Sequence, residues 1–173
     1  MIVKGKYSYG DPIVVNYCLD KYKVTIGNFC SIGQNTKIYL ANGVGHDSTF
    51  ISTYPFGHIF TDIFDTNNTS KNSNGDVNIG NDCWIGENVV IMSGVTIGDG
   101  CIIANNSHVV KSFQPYSIIG GNPSISIKKR FNESQIEKLL NIKWWLWEDD
   151  KIQKNIHLIC SPNIDDFINL YSI

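Results

Sequence analysis

The chain has no basic surplus. Its formal net charge is −2 over 173 residues, so nothing in it argues for nucleic acid as a partner. It has no apolar run approaching the roughly 18 residues of a membrane helix, and no membrane span is expected. Between Met1 and Gly10 there are lysines but no continuous apolar stretch behind them, so no signal peptide is expected. Cys-x-x-Cys spacing is missing among the five cysteines. That absence and the odd total fit a reducing compartment. Together these observations predict a soluble cytoplasmic protein with one domain around a real core. The sequons at Asn67, Asn68 and Asn132 then carry no glycan.

What the chain does have is a period. Nine β-branched residues stand six apart: Ile26, Ile32 and Ile38 in one series, and Ile79, Ile85, Ile91, Ile97, Ile103 and Val109 in a second. A short fixed period of this kind marks a hexapeptide β-helix, whose repeats bury their apolar faces only by stacking on their neighbours. Counting the aliphatic residue as first, the fourth position is Asn35, Asp82, Asn88, Gly94, Gly100 or Asn106 in six of nine repeats. These residue types enter the left-handed region at low cost, so the positions read as corners. The fifth position, including Cys30, Thr36, Cys83, Val89, Val95, Cys101 and Ser107, is modest in size and suits a narrow interior. Cys30, Cys83 and Cys101 therefore read as small buried hydrophobes, while Cys18 and Cys160 have no visible partner.

The pattern divides one domain, 1–173, into segments. Residues 1–23 are irregular and read as an N-terminal cap. Coils are expected over 24–41 and again over 77–127, with Pro115 and Gly120-Gly121-Asn122-Pro123 forming turns near the end. The insertion between them, 42–76, is too long for a plain connection and reads as a functional loop. After Arg130 the period becomes helical. Asn132 and Gln135 resemble a capping box ahead of Ile136, Leu139 and Leu140. Two further helices are expected, from about Asp149 to Cys160 and from Asn163 to Tyr171. This tail, 128–173, either covers the open end of the coil or packs on its flank.

Six strings occur in one order: I-G-N-F-C-S-I-G (26 to 33), G-H-D-S-T-F-I-S-T-Y-P-F (45 to 56), W-I-G (84 to 86), G-G-N-P (120 to 123), K-K-R-F (128 to 131) and W-W-L-W (144 to 147). Together they resemble the xenobiotic acetyltransferase branch of the hexapeptide acyltransferases. That branch includes chloramphenicol and streptogramin acetyltransferases and related enzymes that acetylate sugars of surface polysaccharides. The resemblance spans about Gly5 to Ile152. It implies a mainly β fold: a left-handed parallel β-helix with a loop insertion and a C-terminal helical tail. The hand comes from the resemblance, since parallel crossovers are ordinarily right-handed. It also implies acetyl-CoA as co-substrate, no metal, and a homotrimer.

By the same resemblance His46 is the general base. An acceptor hydroxyl is too weak an acid to attack a thioester unaided at neutral pH, and imidazole can take its proton during attack. Direct transfer in a ternary complex is expected, because a cysteine nucleophile requires an accessible thiolate. Asp47 is a weak candidate to orient His46, since adjacent residues seldom face each other. Tyr54 and His58 are candidates for the acceptor pocket, while His108 reads as an outward coil residue and His157 as surface. For CoA, motif position implicates Trp84, Asn105, Ser107, Lys111 and the turn Gly120, Gly121, Asn122. Lys128, Lys129 and Arg130 form a compact cationic group suited to nucleotide phosphates. Read alone, such a cluster is a solvated face and Trp84 is packing.

The segment from Gly5 to Ile26 is shorter than its counterpart in the antibiotic-modifying enzymes, and the loop after Phe56 is rich in Asn and Ser. Both shift the expected acceptor from an antibiotic toward a sugar hydroxyl or amine. Two other classes compete. A zinc carbonic anhydrase on similar coils needs converging His ligands, and His46, His58 and His108 include no closely spaced pair on a coil. A non-catalytic scaffold would be favoured by a Thr or Asn ladder on a flat face, and none is evident.

Overall fold

The structure is a computed structural model describing residues 2–16, 21–41, 46–64 and 73–171. Cys18, and residues 42–45 and 65–72 of the insertion with most of its Asn- and Ser-rich run, lie outside the described residues. Thirteen short strands are named in chain order: β1 (Ile2–Lys4), β2 (Ile13–Val15), β3 (Val24–Ile26), β4 (Ser31–Ile32), β5 (Lys37–Tyr39), β6 (Val77–Ile79), β7 (Trp84–Ile85), β8 (Val90–Ile91), β9 (Thr96–Ile97), β10 (Ile102–Ile103), β11 (His108–Val109), β12 (Ser117–Gly121) and β13 (Ser124–Lys129). They form three sheets. Sheet A runs β1-β3-β6-β9, sheet B runs β13-β12-β10-β7-β4, and sheet C runs β11-β8-β5-β2. Successive strands of the coil go to successive sheets, so each coil visits three faces of a prism.

All nine period residues are buried and stack in register. Ile26 pairs with Ile79 and Ile79 with Ile97; Ile32 pairs with Ile85 and Ile85 with Ile103; Ile38 pairs with Ile91 and Ile91 with Val109. Between these ladders sit the buried fifth-position residues Cys30, Thr36, Cys83, Val89, Val95, Cys101 and Ser107. The segment before Tyr22 adds a rung of its own: β1 pairs with β3, Tyr9 bridges to Ser31, and β2 pairs with β5, all in parallel.

The fourth positions Asn35, Asp82, Asn88, Gly94, Gly100 and Asn106 all have positive φ, between 52° and 76°. One corner, between sheets A and B, repeats this through every rung: Tyr7, Phe29, Asp82, Gly100 and Tyr116 all lie in the left-handed region. Gly100 is glycine for a second reason, because a Cβ there would come within 2.4 Å of the Tyr116 ring. The recurrent Ile-Gly-Asn or Ile-Gly-Asp triplets build an Asx ladder beside this corner. Asn28 Oδ1 accepts from Lys6 N–H, Asn81 Oδ1 from Asn28 N–H, and Asp99 Oδ1 from Asn81 N–H, at 2.7 to 2.8 Å. This ladder of Asn28, Asn81 and Asp99 does not lie on a flat face. It sits at a corner and its oxygens are spent on backbone donors, so it is not a recognition face.

The coil ends differently from the expected boundaries. Gly120 and Gly121 belong to β12, and only Asn122-Pro123, joined by a cis peptide bond, make the turn. β13 then returns antiparallel on β12. Lys128 and Lys129 are therefore in a strand of sheet B, where a helical tail was expected to begin. The tail itself is α1 (Glu133–Ile142), α2 (Asp149–Ile159) and α3 (Ile164–Tyr171). Asn132 and Gln135 form a reciprocal capping box on α1. The tail packs on the flank of the prism, along the A–B corner, around Tyr116, Ile136, Leu139, Trp145, Phe167 and Ile168. Asn28 Nδ2 donates to the Trp145 carbonyl at 3.1 Å, Tyr7 donates to Asp149 at 2.6 Å, and Lys6 pairs with the same carboxylate.

Two outcomes follow from this packing. Ile85 and Trp84 are neighbours on β7, one fully buried and the other 58% exposed. Ile85→Ala is expected to lose about 2–5 kcal/mol in urea unfolding through the cavity it leaves, with Trp84→Ala within about 0.5 kcal/mol of the parent. Lys6 and Tyr7 together hold the Asp149 carboxyl below its ordinary value. A depressed carboxyl stabilises the fold above its unfolded pKa and loses that contribution as pH falls through its folded one. The difference in melting temperature between parent and Asp149→Asn is therefore expected near neutral pH, and to close below about pH 4.

Candidate active site

The insertion leaves the coil after β5 of sheet C and returns at β6 of sheet A, so it projects from the C–A corner. Its return is anchored closely. Ser73 donates its hydroxyl to the Leu40 carbonyl, Asn74 N–H donates to Ser93 Oγ, and Lys23 N–H to Asp76 Oδ1. Gly94, at the same corner one rung on, has no room for a Cβ against Asn74. The coil resumes as though uninterrupted, with Val77 N–H donating to the Lys23 carbonyl.

His46 is exposed on this insertion, and its Nδ1 lies 2.8 Å from the Thr53 carbonyl oxygen. A carbonyl only accepts, so this bond requires the proton on Nδ1 and leaves Nε2 as the acceptor in the neutral ring. Asp47 has another task. Its Oδ1 accepts from both the N–H and the hydroxyl of Thr49, closing a local turn. Thr53 is the partner that sequence reasoning missed, because a backbone carbonyl leaves no residue-type signal. Tyr54 and His58 are both exposed on the same insertion, with the Tyr54 and Phe56 rings 4.9 Å apart. The rest of this arm is strongly apolar: Phe50, Ile51, Ile59, Phe60, Ile63 and Phe64 are all exposed.

The candidate CoA residues are not gathered in one place. Trp84, Ile102, Ile118 and Lys128 are successive Cα partners across sheet B, and they form one outward column. Gly120 and Gly121 end a strand of the same sheet, and Asn122 is exposed at its turn. Lys111 stands elsewhere, at the C–A corner, its ammonium 5.8 Å from the Phe113 ring centroid. Ser107 faces inward, with its hydroxyl donating to the Ala104 carbonyl at 2.6 Å, so its side chain has no place on an outer wall. Asn105 commits its Oδ1 to Glu87 N–H as a rung of the coil.

The cationic trio also separates, because successive residues of a strand point to opposite faces. Lys128 is on the outer face, and Lys129 donates to the Pro115 carbonyl at 2.6 Å. Arg130 turns under the tail, donates to the Gly100 carbonyl at 2.7 Å, and lies 3.4 Å from Asp82. The expected compact phosphate group is thus reduced to Lys128, with Arg130 holding tail to corner. His108 is half-buried on sheet C and His157 is exposed on α2.

The coil cysteines are all buried, although the contact with Cys83 draws the Cys30 thiol down. The Cys30 thiol donates to the Gly80 carbonyl and the Cys101 thiol to the Gln114 carbonyl. Contact with Cys30 and burial push Cys83 well up, and burial pushes Cys101 up. Among the described residues no group of three or more His, Cys, Asp or Glu converges as a metal site, and no helix is long and apolar enough to cross a membrane.

Residues 76–111 match the family described as bacterial transferase hexapeptide (six repeats). The chain is 45% identical over 153 residues to a probable macrolide acetyltransferase of Lysinibacillus sphaericus, covering 87% of this chain and 84% of that protein. It is 42% identical over 173 aligned residues to a chloramphenicol acetyltransferase of Morganella morganii, covering 92% and 82%. Among solved structures it is similar to a hexapeptide-repeat acetyltransferase of Vibrio cholerae complexed with acetyl coenzyme A, at 29% identity and a TM-score of 0.57, covering 76% of this chain and 61% of that one.

Iodoacetamide applied to the native protein is expected to alkylate the exposed Cys160 and to spare Cys30, Cys83 and Cys101 until denaturant is added, as read by peptide mass mapping.

Proposed function

Because the chain belongs to the hexapeptide-repeat acetyltransferases, in the branch of chloramphenicol, virginiamycin and macrolide acetyltransferases, we propose that it moves an acetyl group from acetyl-CoA directly to an acceptor hydroxyl, with His46 as general base. The observation that carries this reading is the Nδ1 contact to the Thr53 carbonyl. It fixes the tautomer whose Nε2 can take a proton. In the transfer, Nε2 removes the acceptor proton as the oxygen attacks the thioester carbon. The tetrahedral intermediate then collapses, the carbon–sulfur bond breaks, and the imidazolium returns the proton to the CoA thiolate. The transfer written this way passes through no acyl-enzyme.

The acetyl-CoA arm is assigned to the outer face of sheet B, with pantetheine along Trp84, Ile102 and Ile118 and a phosphate at Lys128. That face and the C–A corner bearing His46 and Lys111 are different sides of one prism. A complete site therefore draws His46 from one copy and Trp84 from another, which supports a homotrimer. The exposed aromatic arm of the insertion supports the same arrangement, because a water-excluding acceptor pocket needs a second wall against it. The coils are assigned the left-handed sense of the family, and the enzyme the cytoplasm, where acetyl-CoA is supplied.

The acceptor is assigned as an amphipathic molecule whose hydroxyl sits on an apolar body. The aromatic character of residues 50–64 and the relatives' names support this over the sugar hydroxyl or amine expected from sequence. Free-thiol release measured with acetyl-CoA against macrolides, chloramphenicol, virginiamycin and nucleotide sugars tests it, and turnover on the nucleotide sugars alone overturns the acceptor class.

His46→Ala is expected to lower kcat by about 10²–10⁴-fold with little change in CoA affinity. Unchanged turnover removes the mechanism. Lys128→Ala is expected to raise KM for acetyl-CoA with less effect on kcat. Co-expressing His46→Ala with Trp84→Ala chains is expected to restore part of the activity neither has alone. Failure of that complementation would place both residues in one protomer.

A further inference from the structure

Between the A–B corner and the helical tail lies a cavity of about 500 Å³, within the size range of small-molecule pockets. No described residue of the insertion lines it, and neither does Trp84, Ile102, Ile118 or Lys128, so it is separate from the proposed transfer site. Its walls are largely apolar, with Phe29, Phe131, Trp144 and Leu158 among them. Three polar groups converge at one side. Tyr116 is 1% exposed, and its hydroxyl meets no hydrogen-bonding partner among the described residues. Asp82 is half-buried beside it, and burial pushes its carboxyl up despite Arg130. Arg130 spends Nη1 on the Gly100 carbonyl and stands a loose 3.4 Å from Asp82, which leaves that carboxylate acceptor capacity.

We propose that this cavity is a second binding site, for a small uncharged molecule with an apolar ring or chain and a single hydroxyl group. The hydroxyl donates to Asp82 and accepts from Tyr116, while the apolar part lies among the aromatic walls. Such a molecule satisfies the Tyr116 hydroxyl, a buried polar group that packing leaves without a partner among the described residues. A charged ligand fits less well, because Asp82 and Arg130 already balance each other and a further charge would be buried unpaired. The aromatic walls come from both layers, Phe29 from the corner column and Trp144 from the tail, so the ligand bridges prism and helices.

Calorimetric titration of the full chain with 4-methylphenol, toluene and 4-methylbenzoate tests the assignment. Saturable one-to-one binding of 4-methylphenol is expected, with toluene and 4-methylbenzoate each at least about tenfold weaker. Tyr116→Phe is expected to weaken 4-methylphenol about tenfold while leaving toluene unchanged. Leu158→Trp, which fills the space, is expected to abolish binding; if that variant does not fold, Tyr116→Phe decides. Absence of saturable 4-methylphenol binding, equal binding of all three probes, or an affinity untouched by Tyr116→Phe overturns the proposal. None of these readouts uses acetyl transfer, so they stand or fall apart from the role of His46.

Discussion

A coil that turns three corners per rung must place its corner residues where L-amino acids are least comfortable. The rest of the molecule is arranged around that requirement. At the A–B corner the left-handed conformation recurs from Tyr7 through Tyr116, and three of the five residues there are aromatic. A bulky residue in this region is strained, and such strain persists only when the surroundings over-determine it. Here they do. The Tyr7 and Phe29 rings are 5.2 Å apart, Phe29 is 5.1 Å from Trp144, and Tyr116 packs on Gly100 and under Phe131. The tail is thus the second half of the corner, and the side chains that make the turn costly are those that recruit the helices to cover it.

On the proposed reading, the same geometry separates cofactor binding from chemistry. A strand of two or three residues has one or two side chains facing out, so a flat face offers a column of contacts and little more. The column Trp84, Ile102, Ile118 and Lys128 is of that kind: an apolar stripe ending in a cation. A group that must reach over such a face has to come from outside the repeat. His46 lies on an excursion from a different corner, with its Nδ1 held by the Thr53 carbonyl. On that reading neither element alone makes a closed site, and the proposed division of labour requires more than one copy of the chain.

Sequence carried the coil far, because its constraints are periodic and each position has one physical demand. Inward aliphatic, inward small residue and left-handed corner were all readable from Ile26 to Val109. The N-terminal rung was less visible, since Tyr7 takes a corner where Gly, Asn or Asp would have signalled one. The cationic trio misled for a different reason: adjacency along a chain becomes opposition in a strand, so Lys128, Lys129 and Arg130 went to three separate environments. Ser107 and Asn105 were matched by motif position, yet their polar atoms serve the coil. The partner of His46 left no trace because it is a main-chain oxygen.

The excursion that carries His46 departs after Leu40 and rejoins at Ser73, where a hydroxyl ties it to the Leu40 carbonyl. Its two ends are stapled at one vertex, while the ladders above and below pair without reference to what lies between. Lengthening a flexible segment between fixed ends costs little, about 0.6 kcal/mol for each doubling. The prism can therefore keep its outer faces constant while the arm is rewritten. New substrates would be reached in this architecture by exchanging one cassette, leaving the rungs untouched.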